Sequence, residues 1–366
     1  MGRAEFTRLW PGADHNPPFP VEISPFFHQI CQPLLDWARC AELDVVPGTA
    51  ITPDDARDYA LYTALGFPRA ASAEDLLLIG QWQAVFFMID SQIDQGRASD
   101  LAPEIRAFLS DIDRIIVADG PSNPRHRETF EFPHARAMAE LWQRSCDSFH
   151  TPRWRQRFAR HLRCYQRTQQ WELFNRITGR HLNYTTFMDH RRFSTNGRAS
   201  LSFIEHILTH SLPVDYADSV LMTTLANIAI DLIATGADRM SFDREHGPES
   251  VPNIITTLCT DLNTPSLADA SEVGYTLWHA QARTLQHAAR DFPRLLRSLD
   301  HDKQYDTAAQ EYIDCVLLYV GGNLEWVAHA HRYAASPNSD PAACYPSGTP
   351  RRATKLEHLY RSPPHR

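Results

Sequence analysis

Two long apolar runs that end in carboxylates restrict the fold of this chain more than any other feature. Leu76 through Ile89 carries no charge, includes Trp82, Phe86 and Phe87, and has Gln81 and Gln83 as its polar exceptions. A helix that is apolar on every side has to be enclosed by other helices. It nevertheless ends in Asp90-Ser91-Gln92-Ile93-Asp94, so Asp90 and Asp94, at i and i+4, share one face at the mouth of an interior. Val220 through Ile233 repeats the arrangement with Asp231 as its one charge, then continues as Ala237-Asp238-Arg239-Met240-Ser241-Phe242-Asp243-Arg244-Glu245. Acids at a helix C-terminus oppose the macrodipole at a cost of roughly a few tenths of a kcal/mol. Carboxylates placed there twice point to a positive charge that they hold.

The rest of the chain reads as helix after helix. Apolar residues recur at helical spacing over 24–42, 101–118, 131–148, 152–177, 180–193, 198–211, 215–246, 252–262, 267–297 and 304–334, and alternating strand patterns are nearly absent. Thr52-Pro53-Asp54-Asp55 predicts an N-cap with proline in the first turn. Ser72-Ala73-Glu74-Asp75 predicts a capping box in front of the first apolar run. No repeat or Gly/Ser linker divides the chain. The expectation is an all-α protein, a single-domain bundle over residues 21–335. An extended N-terminal segment (1–20) precedes it and a Pro-rich basic tail (336–366) follows it.

Composition narrows the function. The formal charge of −8 argues against nucleic acid as a partner. Seven scattered cysteines without a CxxC pair argue for a reduced, cytoplasmic protein without structural zinc. No run of 18 apolar residues is present, so no stable membrane insertion is expected. A homodimer stays open. Hard carboxylate oxygens suit Mg²⁺, an ion that also takes water and substrate phosphates as ligands. Two acidic helix ends facing one another could clamp a diphosphate through such ions.

Together these residues resemble the class I terpene synthases (terpene cyclases). Phe86-Phe87-Met88-Ile89-Asp90-Ser91-Gln92-Ile93-Asp94 is similar to the family's aspartate-rich motif, FF-x-x-DDxxD, with Ser91 at the second Asp. Ala237 through Glu245 is similar to the NDxxSxxxE motif, with Ala237 at the Asn. Arg191 stands 46 residues before Ala237, the separation of the family's diphosphate-sensing arginine, and Arg192 is the alternative for that part. Asn323-Leu324-Glu325-Trp326 followed by Arg332-Tyr333 resembles the NxxW and terminal RY pair. The matches follow the family's order over residues 86–333.

The resemblance implies the terpenoid synthase fold and a site to go with it. Asp90, Asp94, Ser241 and Glu245 are the implied metal ligands, for three Mg²⁺ ions. On a helix Asp238 lies roughly 60° from Ser241 and about 20° from Glu245, so it could join them where Ala237 cannot. Arg191, Arg244, Arg332 and Tyr333 are implied to bind the diphosphate, because an arginine fork matches phosphate oxygens. Asn323 is implied on the substrate side. Ser194-Thr195-Asn196-Gly197 predicts a helix break beside Arg191. Phe86, Phe87 and Trp326, with Trp82 and Phe187, are candidates to line an apolar pocket in which aromatic faces stabilise a carbocation. The implied reaction ionises a prenyl diphosphate, farnesyl before geranylgeranyl, and cyclises the cation to a hydrocarbon or alcohol. The alternatives are a diterpene cyclase, a chain-elongating transferase, a non-catalytic prenyl-diphosphate-binding relative and a plain helical interaction protein.

Overall fold

The computed structural model describes residues 19–45, 50–95, 102–116, 126–148, 151–210, 212–245, 253–264, 266–299 and 302–330. Among these residues there are fifteen α-helices, two short 3₁₀ turns and no strand. In chain order the helices are α1 (Phe27–Cys40), α2 (Pro53–Gly66), α3 (Ala73–Gln95), α4 (Ala102–Ile115), α5 (Pro133–Ser148), α6 (Pro152–Thr178), α7 (Tyr184–Ser194), α8 (Gly197–Ser202), α9 (Ile204–Ile207), α10 (Val214–Ala217), α11 (Val220–Glu245), α12 (Ile254–Asp261), α13 (Leu267–Arg290), α14 (Phe292–Arg297) and α15 (Asp306–His329).

Local chemistry fixes where several of them start. The Thr52 hydroxyl accepts from the Asp55 N–H while the Asp55 carboxylate accepts from the Thr52 N–H, a reciprocal box that opens α2. The Ser72 hydroxyl accepts from the Asp75 N–H at 3.1 Å ahead of α3. The Asp75 carboxylate is also 2.9 Å from His206 Nε2 and ties α3 to α9. Thr151 caps α6 with Pro152 in its first turn, and Gly179, at φ 61°, closes it in the left-handed region.

The bundle is built around α3 and α11. Both are long and apolar enough to cross a bilayer by length and composition. Here most of their surface is turned into the core. The polar side chains inside α3 are bonded across to neighbours. Gln81 Oε1 accepts from Arg144 at 2.7 Å, and the Trp82 indole N–H donates to the Ser145 hydroxyl at 2.9 Å. The last long helix, α15, lies tightly across α2. A Cβ on Gly322 would sit 2.2 Å from the Leu65 carbonyl oxygen, so only glycine permits the crossing.

Three expected helices are divided. Residues 198–211 form α8 and α9 with a turn at Phe203, and 215–246 becomes α10 and α11, separated at Asp218-Ser219. The 267–297 stretch breaks at Asp291, because Pro293 cannot continue a helix through its missing N–H and restarts one in its first turn. The predicted break after Arg191 is present. α7 stops at Ser194, Asn196 takes φ 56°, and α8 begins at Gly197, where a Cβ would meet Ile230 at 2.8 Å.

Candidate active site

α3 brings its acid to the rim and its aromatics to the interior. Asp90 is partly exposed, and Phe87 stands one turn below it on the same face. Phe87 is also partly exposed. It stacks on Tyr59 with ring centroids 4.9 Å apart, meets Tyr62 edge-on at 4.9 Å and packs on Trp326 at 5.1 Å. Tyr62 in turn meets Trp326 at 5.0 Å. Four rings from α2, α3 and α15 thus form one aromatic wall, with Trp326 fixed by donation of its indole N–H to the Asp58 carbonyl at 2.9 Å. Phe86, one residue away and about 100° around the helix, points elsewhere. It is buried against Trp82 at 5.5 Å and Tyr165 at 5.9 Å. Of the five aromatic candidates, Phe87 and Trp326 share this wall. Phe187 lies in a separate apolar cluster with Leu182, Met188 and Ile254.

α11 is arranged differently. Ile233, Ala237 and Met240, at i, i+4 and i+7, are its partly exposed residues over this stretch, so the stripe that carries Ala237 is apolar. Asp238 is 0% exposed. Its Oδ1 accepts from Arg191 through Nε at 3.0 Å and through Nη2 at 2.5 Å, and its Oδ2 accepts from the Ile254 N–H at 3.1 Å. The Asn253 amide donates to the Asp238 carbonyl at 2.6 Å. The expectation that Asp238 turns toward Ser241 and Glu245 as a third metal ligand therefore meets a different arrangement. Its carboxylate joins α7 to α11 and receives the first N–H of α12. The Ser241 hydroxyl donates back to the Ala237 carbonyl at 3.0 Å.

Arg191 and Arg192 separate cleanly by partner. Arg192 makes a two-pronged pair with Asp231, Nε to Oδ1 at 2.7 Å and Nη2 to Oδ2 at 2.8 Å. Burial raises the Asp231 carboxyl against the pull of Arg192. Arg191 and Asp90 both act on the carboxyl of Glu172, Arg191 opposing its rise and the Asp90 charge adding to it.

Glu172, on α6, is the residue that sequence reasoning missed. Burial pushes its carboxyl up and Asp90 adds to the effect, while Arg191, Ser194 and Arg176 oppose it. The Arg176 guanidinium donates to the Ile93 carbonyl near the end of α3, which brings the ends of α6 and α3 together. The signal was present as Gln166, Gln169, Glu172 and Asn175, a polar row at three-residue spacing. Such a row reads like a solvated face, yet all four are buried.

Other expected residues stand apart from this cluster or outside the described residues. Asn323 is buried at the crossing of α15 and α2 and donates to the Tyr319 carbonyl at 2.7 Å. The side chains of Asp94, Arg244 and Glu245, and the whole of Arg332 and Tyr333, lie outside the described residues.

Among the described residues no group of three or more His, Cys, Asp or Glu side chains stands together as a metal site, and the α3 end contributes one hard oxygen donor, Asp90. Asp90 offers a partly exposed carboxylate, whereas on α11 Ala237 offers no ligand atom and Asp238 is already bonded through both oxygens. A cation facing an arginine of the neighbouring helix can neutralise and hold a diphosphate.

Comparison with known proteins identifies the family and its relatives. Residues 81–283 match the family described as terpene synthase family 2, C-terminal metal binding. The chain is 25% identical to pristinol synthase of Streptomyces pristinaespiralis over 86% of its length and 83% of that protein. It is 25% identical to the (+)-T-muurolol synthase, (2E,6E)-farnesyl diphosphate cyclizing, of Roseiflexus castenholzii, over 88% and 94%. Among solved structures, germacradien-4-ol synthase from Streptomyces citricolor superimposes with a TM-score of 0.71 at 24% identity. That match covers 90% of this chain and all of the other.

Proposed function

The chain belongs to terpene synthase family 2, and we propose that it ionises farnesyl diphosphate with Mg²⁺ and cyclises the cation to a sesquiterpene. That it is a terpene cyclase, a lyase acting on prenyl diphosphates, follows from the family and its relatives. The substrate, the metal and the residue roles are the proposal. The observation that carries it is the alignment on α3 of a partly exposed Asp90 directly above the four-ring wall of Tyr59, Tyr62, Phe87 and Trp326.

Asp90, with Asp94, Ser241 and Glu245 as further ligands, would hold Mg²⁺, three ions by the family pattern. Bound there, Mg²⁺ supplies the positive charge that lets diphosphate leave. Arg191 orients the diphosphate from α7, and its pairing with Asp238 sets the guanidinium plane before substrate arrives. By the family resemblance, Arg244, Arg332 and Tyr333 would add further hydrogen bonds to the diphosphate. Cleavage of the C–O bond leaves an allylic cation on the prenyl chain. The ring wall excludes water from it and presents aromatic faces worth about 2 kcal/mol where desolvated. Folding of the chain against these walls brings a distal double bond to the cationic carbon.

The test is incubation of the purified protein with Mg²⁺ and prenyl diphosphates of ten, fifteen and twenty carbons. Released diphosphate is measured and the extract is analysed by gas chromatography–mass spectrometry. A cyclic fifteen-carbon product is expected. Tight binding without diphosphate release would overturn the proposal.

A further inference from the structure

Helix α6 turns a basic face outward in a chain whose formal charge is −8. It holds seven arginines against one acid, Glu172, and that acid is buried. Gln156, Arg160, Arg163, Arg167 and Phe174 follow one another at helical spacing, so they share one side of the helix. All five are exposed or partly exposed. Arg160 pairs with Asp218 at 2.7 Å and Arg163 with Asp113 at 3.0 Å, which takes up part of their charge. Farther along, Arg167 is exposed, as are Arg180 and His181 just past the end of the helix.

Between these cations the face becomes apolar. Phe174 is 56% exposed, and Ile177, one turn on, is 53% exposed. Scattered apolar side chains on a surface are ordinary, whereas neighbouring ones mark a contact. Trp171, one turn before Phe174, is partly exposed and stacks on His190 of α7 at 3.5 Å. Leu262, another exposed apolar residue, follows Asp261, whose carboxylate accepts from the Tyr184 N–H at 2.6 Å. That bond sets Leu262 beside the connection from α6 to α7. Arg176, which stands between Phe174 and Ile177, donates to the Ile93 carbonyl near the end of α3. The apolar tip therefore borders the end of the bundle that carries Asp90.

We propose that this face of α6 docks on an anionic lipid bilayer, with Phe174 and Ile177 among the upper acyl chains and Arg167 and Arg180 on the lipid phosphates. Charge complementarity selects the partner. An aromatic and an aliphatic side chain bracketed by arginines match a surface that presents phosphate above hydrocarbon. The contact is interfacial and spans nothing. It turns the end of the bundle that carries Asp90 toward the lipid. The proposal goes beyond the cyclase reading and does not depend on it, because docking requires no substrate.

Vesicle flotation of the full-length protein tests it. Vesicles of phosphatidylcholine alone are compared with vesicles that mix phosphatidylcholine and phosphatidylglycerol, roughly two parts to one. Binding to the mixed vesicles is expected, with loss as salt is raised. Arg167→Gln combined with Arg180→Gln should lower the partition coefficient by about tenfold or more. Phe174→Ser combined with Ile177→Ser should lower it by about tenfold. All four side chains are exposed, so both double variants should melt with the wild type, and lost binding is then not lost folding. A protein that ignores the mixed vesicles, or double variants that bind as the wild type does, overturn the proposal. A dimer in sedimentation velocity that Phe174→Ser with Ile177→Ser dissociates, without any vesicle binding, assigns the face to a second copy of the chain and overturns it as well. Product analysis with farnesyl diphosphate is a separate measurement, so failure of docking and failure of the cyclase reading are told apart.

Discussion

The two central helices are built alike and end differently. α3 and α11 are both long, apolar and enclosed, and both finish in acids. On α3 the first acid of the terminal motif, Asp90, remains partly exposed above an aromatic wall. On α11 the first acid of the terminal motif, Asp238, is wholly buried between Arg191 and the start of α12, and the stripe beside it is apolar. A carboxylate at the end of a buried helix can thus do either of two jobs. It can stay partly exposed at the rim, or it can hold an arginine in place. The difference lies in what packs against the helix: α7 and α12 close over Asp238.

The largest expected effect tests the closed end. Asp238→Ala takes the carboxylate from the Arg191 guanidinium and from the Ile254 N–H together. Loss of one partner of a buried pair typically costs about 3–5 kcal/mol, to be read as a lower urea midpoint. Unchanged stability combined with a shifted Mg²⁺ dependence would make Asp238 a metal ligand after all and erase the contrast between the helices.

The open end should respond in the opposite way. Asp90→Asn should lower diphosphate release by about 10²–10³-fold, the usual loss when one preorganised electrostatic contact to a developing anion is removed. Its melting temperature should stay close to that of the wild type, because Asp90 is partly exposed. Full activity in this variant would remove α3 as the metal-binding helix.

Part of this contrast is legible in the amino-acid sequence. The apolar runs, their acidic ends and the caps at Thr52 and Ser72 are local patterns, and local patterns survive folding. The choice between Phe86 and Phe87 is not local, since it depends on how α3 is rotated against α2 and α15. The partner of Asp238 is hidden as well. Helix geometry sets it near Ser241 and Glu245, but its nearest cation, Arg191, comes from another helix 47 residues away. Glu172 is hidden for a third reason: a row of polar residues on a helix looks the same whether it faces water or a buried rim.

Between these extremes lies a gain of function on α11. Ala237 sits on a partly exposed stripe, so Ala237→Asn places an amide oxygen where the helix has none. The Mg²⁺ concentration for half-maximal diphosphate release should fall by about tenfold, the scale on which single groups tune metal sites. An unchanged Mg²⁺ requirement would mean that α11 takes no part in holding the ion and that the asymmetry of the two helices is complete.

The smallest effect concerns Glu172, which sits against the open end and reports its charge. Its carboxyl is raised above the ordinary value of 4.5 by burial first and by Asp90 as well. The native state therefore keeps a proton that the unfolded chain releases, and native stability falls as pH rises through the unfolded value toward the folded one. Glu172→Gln cannot ionise and lacks that slope. Urea titrations from roughly pH 4 to pH 7 should show the stability gap between E172Q and wild type widening in favour of the variant as pH rises. The effect is limited, because Arg191, Ser194 and Arg176 offset part of the burial penalty. Repeating the titrations on an Asp90→Asn background should flatten the slope, since the negative charge that adds to the burial effect on Glu172 is then gone. A gap that is constant with pH would mean that Glu172 ionises as it does in the unfolded chain, and the open end would lose its claim to a concentrated negative charge.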